Sequence, residues 1–198
     1  MRNQCPKSRP MKRIFITVAA LASFTTCCIA ANFPSDSIYR LDALLTIQDG
    51  REVRLASFAG QVQIITMFYT SCPYVCPKTI ETLKRIDAGL SKDERARLHV
   101  LLVSVDPERD NPEVLASLAE KRGLDLSRWS LARAQAGDVR KIAALLGVQY
   151  RQLRDKEFNH STILTLVSPD GRIIAKSSST ATSDTQFVAA VRNALSGK

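Results

Sequence analysis

The chain has 198 residues, of which 45% are hydrophobic and 6% aromatic, and a formal net charge of +9. That length and apolar share suit one globular domain with its own core and argue against disorder, a collagen-like sequence or a polytopic membrane protein. Five cysteines are too few for a disulfide scaffold of this size.

In chain order, residues 1–31 read as a signal peptide or an N-terminal membrane anchor. They carry Arg2, Lys7, Arg9, Lys12 and Arg13 with no acid, then an apolar stretch from Ile14 to Leu21 and small residues at Ala30-Ala31. The anchor alternative rests on the 18 residues from Ile14 to Ala31, interrupted by Thr17, Ser23, Thr25 and Thr26; a spanning helix wants about 20 mostly apolar residues. Lipidation of Cys27 or Cys28 is disfavoured by the Phe24-Thr25-Thr26 approach. In each version the basic flank stays inside and the domain at 32–198 works outside the cytoplasm, in the periplasm or anchored to the inner membrane facing it.

Without the five basic residues of the first segment, 23 Lys and Arg stand against 19 Asp and Glu, a net charge of +4. Such a mildly basic domain gives no argument for nucleic-acid binding. Loss of Cys5, Cys27 and Cys28 with that segment leaves only Cys72 and Cys76, in a compartment where disulfides persist. A staple closing so short a loop restricts the unfolded chain little, which favours a redox or metal role for the pair.

Leu44 to Phe58 offers a hairpin about the two-residue turn Asp49-Gly50. Val62 to Tyr69 is a nearly continuous, β-branched apolar run, the pattern of a strand buried on both faces, and it leads straight to Cys72. Pro77 suits a helix start, with Ile80, Leu83, Ile86 and Leu90 at helical spacing. Leu98 to Val105 is a second buried strand, and Asn111 as N-cap with Pro112 opens a helix whose apolar face is Val114, Leu115 and Leu118. A further helix begins at Asp138, buries Val139, Ile142, Ala143 and Leu146, and stops at Gly147. Strand Thr162 to Val167, the turn Ser168-Pro169-Asp170-Gly171, strand Arg172 to Ala175 and a helix capped by Ser183 close the chain. The order β-α-β-α, an inserted segment, then β-β-α predicts an α/β thioredoxin-like fold: a central mixed sheet flanked by helices, with an insertion before the final hairpin. Trp129 and Tyr150 read as packing residues of that insertion.

The spacing Cys72-Pro73-Tyr74-Val75-Cys76 is C-x-x-x-C at a strand-to-helix junction, where backbone N–H groups and the helix dipole favour thiolates. Such a pair forms a disulfide or chelates a soft metal. Two thiolates are half of a closed zinc site, whereas two thiolates and one imidazole suit copper. Of the two histidines, His99 falls at the start of a central strand, away from the cysteines, and reads as structural. His160 precedes the antiparallel strand, in a loop that faces the cysteine loop in a thioredoxin fold; spacing leaves it between a ligand and an exposed loop histidine.

The sequence resembles the Sco/SenC family of copper-binding, thioredoxin-fold proteins of cytochrome c oxidase assembly, over roughly Ile38 to Leu195. The resemblance rests on Phe68-Tyr69-Thr70 leading into Cys72-Pro73 and Cys76-Pro77, on Val103-Ser104-Val105-Asp106-Pro107-Glu108-Arg109-Asp110, and on His160-Ser161 before Pro169-Asp170-Gly171. It implies Cys72, Cys76 and His160 as ligands of a copper ion, Cu(I) or Cu(II), in a metallochaperone that delivers it to the copper-binding subunit of cytochrome c oxidase. Copper donor proteins or thiol reductants are the other implied partners. The alternative is a thiol-disulfide oxidoreductase with Cys72 and Cys76 as its redox-active, catalytic pair, acting on an oxidase subunit or another exported protein. Ser71, Tyr74 and Asn159 stand where the family commonly has histidine, aspartate and aspartate, and the loss of an acidic neighbour is expected to alter how the imidazole is oriented. Asp106, Arg109 and Asp110 read as an exposed turn held by local ion pairs and capping, with partner docking or loop ordering as the functional alternative.

Overall fold

A computed structural model describes Met1 and residues 33–72, 75–178 and 184–197, with only the backbone of Val75 and Cys76. Contacts divide the chain into Met1–Ala31 and Asn32–Lys198, and all described secondary structure lies in the second unit. The expected signal or anchor therefore falls outside the described residues. Among those described, no helix is long and apolar enough to cross a membrane.

The centre of the fold is made by two apolar runs. Strand β3 (Val62–Phe68) is buried at all seven positions and β4 (Leu98–Ser104) at all but His99. Such runs suit parallel strands covered on both faces, and the two pair in parallel from Val62↔Leu98 to Phe68↔Ser104. A seven-stranded sheet grows around them in the order β2-β1-β5-β4-β3-β8-β9, where β5 is Trp129–Ala134. Strands β8 (Leu164–Val167) and β1 (Leu44–Ile47) join it antiparallel, and β9 (Ile173–Ser177) and β2 (Glu52–Arg54) form the edges. With helices α1 (Val75–Ala88), α2 (Lys92–Ala96), α3 (Pro112–Lys121), α4 (Ala136–Leu146) and α5 (Thr185–Ser196), this is the expected thioredoxin-like architecture.

Several details differ from expectation. The β1–β2 loop has three residues, Gln48 to Gly50, because Ile47 N–H bonds the Arg51 carbonyl; Gly50 supplies the left-handed residue (φ +84°) that such a loop requires. Helix α1 starts at Val75, so Pro77 lies third, where its missing N–H still lacks an intrahelical acceptor. Asn111 caps α3 as expected by accepting from Val114 N–H, but Val114 itself is exposed and the buried face is Leu115 and Ala119. Helix α4 begins two residues before Asp138 and ends as expected at Gly147 (φ +76°). Asp184 caps α5, accepting from Phe187 N–H, in the role expected of Ser183, which lies outside the described residues.

The expected insertion is largely part of the body. Strand β5 (Trp129–Ala134) pairs in parallel with β4 and antiparallel with β1, and Trp129 is buried in it. Only β6 (Tyr150–Gln152) and β7 (Phe158–His160) stand outside the main sheet, as a two-stranded ribbon in register Tyr150↔His160. Because β3 and β4 run parallel, both release the chain at the same sheet edge, towards Cys72 and towards Asp106. His99 pairs with Gln63 at the other end, about 16 Å away along the strands.

Candidate metal centre

Tyr69 continues the buried run of β3, and Cys72 N–H turns back onto the Tyr69 carbonyl at 3.4 Å, which buries Cys72 to 8% exposure. The backbone of Cys76 follows in the first turn of α1. The side chain of Cys76 lies outside the described residues, so the pairing of the two sulfurs does too.

Tyr69 joins the thiol to the imidazole. Its hydroxyl donates to the Phe158 carbonyl at 3.1 Å and its side chain is hydrogen-bonded to Cys72. Burial, then the bond to Cys72, raises the phenol pKa above its ordinary value. The Tyr69 ring also meets Phe158 at 5.5 Å and His160 at 5.6 Å between centroids, both nearly edge to face.

His160 is half-buried at the end of β7, and burial lowers its pKa, favouring neutral imidazole. Its Nδ1 lies 3.3 Å from the Ser161 carbonyl. A carbonyl only accepts, so the contact selects the Nδ1–H tautomer and puts the ring lone pair on Nε2, the arrangement of a metal-ligating histidine. The ring borders a surface depression of about 320 Å³ lined also by Gln149, Tyr150, Arg151, Asn159 and Ser161. Asn159 is exposed on β7, and consecutive strand residues face opposite sides. The Ser161 carbonyl is one contact that orients the ring.

The expected exposed turn after β4 is instead buried at both acids. Asp106 and Asp110 are 3% and 1% exposed. Asp110 accepts from Thr70 N–H (3.2 Å), from the Thr70 hydroxyl and from the Ser104 hydroxyl, which ties the approach to Cys72 onto the end of β4. Burial raises the Asp110 pKa, opposed by the Ser104 and Thr70 bonds. Arg109 bonds Asp106 through Nε and extends to the ribbon, donating to the Lys156 carbonyl at 2.7 Å and to Glu157 at 3.0 Å. Its half of the expectation, local ion pairing, holds.

The structure thus brings Cys72 and His160 to one phenol and keeps His99 apart, half-buried beside the charge of Arg128. Among the described residues no three His, Cys, Asp or Glu side chains cluster for a metal. Tyr69, Asp110 and Arg109 are the contributors that spacing did not single out. For Arg109 and Asp110 the signal in the sequence was the segment from Ser104 to Asp110, charged yet adjoining an almost fully buried strand.

Comparison with known proteins agrees with this fold. The "SCO1 protein homolog" of Bacillus subtilis is 26% identical over 130 residues, 64% of this chain and 67% of that protein. Across the curated relatives it matches, the chain spans from 44% to 67% of their length. The copper-bound structure of Arabidopsis thaliana ScoI superposes with a TM-score of 0.66 at 20% identity, covering 76% of this chain and 96% of that one. BsSco, described as a member of the Sco family of cytochrome c oxidase assembly proteins with a disulfide switch, gives 0.66 at 23% identity, covering 78% and 92%. The SCO1/SenC family profile matches residues 40–196, nearly the whole of the folded unit, and the chain belongs to that family.

Proposed function

We propose that the protein is a copper metallochaperone: Cys72, Cys76 and His160 bind one copper ion, which passes as cargo to the copper centre of a cytochrome c oxidase subunit during assembly. The observation that carries this reading is the convergence of Cys72 and His160 on Tyr69 at the edge from which the C-x-x-x-C segment enters α1. Two soft sulfurs and a neutral imidazole with its lone pair on Nε2 are a fitting donor set for copper. Copper-bound relatives support the metal, and the relative described with oxidase assembly supports the recipient. The basic and apolar make-up of residues 1–31 supports export to the periplasm, free or anchored to the inner membrane, with copper donors or thiol reductants as further partners.

Both cysteines must be deprotonated to bind, so acid and oxidation to a disulfide each abolish loading. The test is an anaerobic Cu(I) titration of the reduced full chain against a competing chelator, beside Cys72→Ser, Cys76→Ser and His160→Ala. One equivalent of copper, lost with either cysteine and weakened with His160, is expected. A single equivalent that survives replacement of both cysteines overturns the proposal.

A second reading has its own support in the relative with a disulfide switch. As a thiol-disulfide oxidoreductase, one thiolate of the pair attacks a disulfide of an oxidase subunit or another exported protein. The other resolves the mixed disulfide, so two electrons leave the Cys72/Cys76 pair as it closes and the target receives two thiols. Negligible copper affinity of the reduced wild type together with reduction of a disulfide substrate favours this reading over the first.

A further inference from the structure

The β6–β7 ribbon carries His160 outside the seven-stranded sheet, so no ladder of that sheet fixes it. Its connecting turn is also conformationally demanding. Leu153 N–H bonds the Glu157 carbonyl, Lys156 N–H bonds the Leu153 carbonyl, and Lys156 adopts φ +65°, a left-handed geometry uncommon for a residue with a side chain. The carbonyl of this same Lys156 receives a hydrogen bond from Arg109, whose guanidinium also bonds Glu157 on the ribbon and Asp106 on the body.

Asp106 is buried and its N–H is held by the Ser104 hydroxyl, so the body end of this clasp is fixed to β4. One residue beyond Arg109, Asp110 holds Thr70, two residues before Cys72. A single short stretch after β4 therefore grips both ligand-bearing segments, the cysteine approach through Asp110 and the ribbon through Arg109. A planar guanidinium with donors in a fixed fork meets Asp106, Glu157 and the Lys156 carbonyl at once; a lysine ammonium on a flexible stem does not reproduce that geometry.

We infer that Arg109 is a positioning residue for metal capture: it clasps the β6–β7 ribbon to the body and so holds His160 against Tyr69, in register with Cys72. The inference rests on His160 being a ligand, as proposed above, but the clasp itself is measurable without metal. In the copper-free full chain, Arg109→Ala should speed amide exchange in 150–152 and 158–160 by about tenfold or more, the effect of losing charge-assisted hydrogen bonds, while exchange in β3 and β4 is unchanged. Arg109→Lys, which keeps the charge, should behave similarly, and adding Lys156→Gly to either should recover part of the protection.

With copper, Arg109→Lys should weaken affinity by about tenfold, within the range for residues that orient a ligand. In a His160→Ala background the same change should cost nothing further. Ribbon exchange that does not respond to Arg109→Lys overturns the clasp, and an equal affinity loss with and without His160 overturns its action through that ligand. A wild-type protein that binds no copper overturns the ligand assignment instead; the copper half of the inference falls with it, and the ribbon's exchange rates still decide the clasp.

Discussion

Tyr69 and His160 meet edge to face with ring centroids 5.6 Å apart and planes at 74°, while the same phenol is hydrogen-bonded to Cys72. One side chain therefore touches both described members of the proposed donor set. It performs two separable tasks, since the ring packs against the imidazole and the hydroxyl serves the sulfur and the Phe158 carbonyl.

Tyr69→Phe keeps the ring and removes the hydroxyl. A half-buried carbonyl loses its donor, so urea unfolding should show a loss of about 1–2 kcal/mol. Copper affinity should fall by less than about tenfold, because the ring that His160 packs on remains. Tyr69→Ala removes that surface as well, should cost about 3–5 kcal/mol, and should lower affinity well beyond the Phe variant. Equal affinity in the two variants would show that the ring does not set the placement of His160.

Asp110 gives a pH signature. Burial raises its folded pKa above the unfolded value of about 3.9, so the folded protein holds this proton more tightly than the unfolded chain. The resulting stability is present below about pH 4 and is lost as pH rises through the raised folded value. Wild-type stability should therefore decline across that window relative to Asp110→Asn, which cannot titrate. Urea unfolding at closely spaced pH values between 4 and 7 reads the slope, and a difference between the two proteins that does not vary with pH would contradict the assignment.

Gly171 is fixed both by its backbone and by its neighbours. It has φ +89°, and a Cβ there would run into the Ser37 hydroxyl and the Tyr39 ring. Its carbonyl accepts from Ile38 N–H at 2.9 Å, and Ser37 donates to the Asp170 carbonyl at 2.7 Å, so the turn is a seat for the segment before β1. Gly171→Ala should destabilise by about 2–4 kcal/mol, the sum expected of a strained left-handed residue and an overpacked contact. Calorimetry checks this, and a near-neutral variant would mean that the Ser37–Tyr39 segment is readily displaced.

The parts of the fold visible in the sequence were those whose local pattern and tertiary role agree. The apolar runs of β3 and β4 and the Asn111-Pro112 start of α3 are of that kind. Strand β5 was hidden because Ser130 and Arg133 interrupt its apolar residues; its strand character comes from pairing with β1 and β4 on either side. The acids at 106 and 110 look like a solvated turn because charge is ordinarily exposed, and they are buried because hydroxyls, an amide and a guanidinium converge on them from Thr70, Ser104 and Arg109. Cys72 and His160 stood out by scarcity and order in the chain. Tyr69 did not, since a tyrosine ending a buried strand reads as packing.

The ribbon escaped notice for a reason that supplies the last prediction. The β1–β2 and β6–β7 turns have the same hydrogen bonds: Ile47 to Arg51 and Gly50 to Ile47 in one, Leu153 to Glu157 and Lys156 to Leu153 in the other. In each, the aspartate before the left-handed residue accepts from the N–H two residues on, Asp49 from Arg51 and Asp155 from Glu157. Only the first has glycine at the left-handed position; the second has Lys156. A left-handed residue with a Cβ costs about 1–2 kcal/mol, partly offset because glycine makes the unfolded chain freer by about 0.4–1 kcal/mol. Exchanging the residue types should then act in opposite directions. Gly50→Ala, with nothing near its Cβ, should destabilise by about 1 kcal/mol through backbone conformation alone. Lys156→Gly should stabilise by about 0.5 kcal/mol. Matched thermal unfolding curves would show melting temperatures moving down for the first and up for the second; two shifts of the same sign would mean that the Lys156 side chain itself contributes to holding the ribbon.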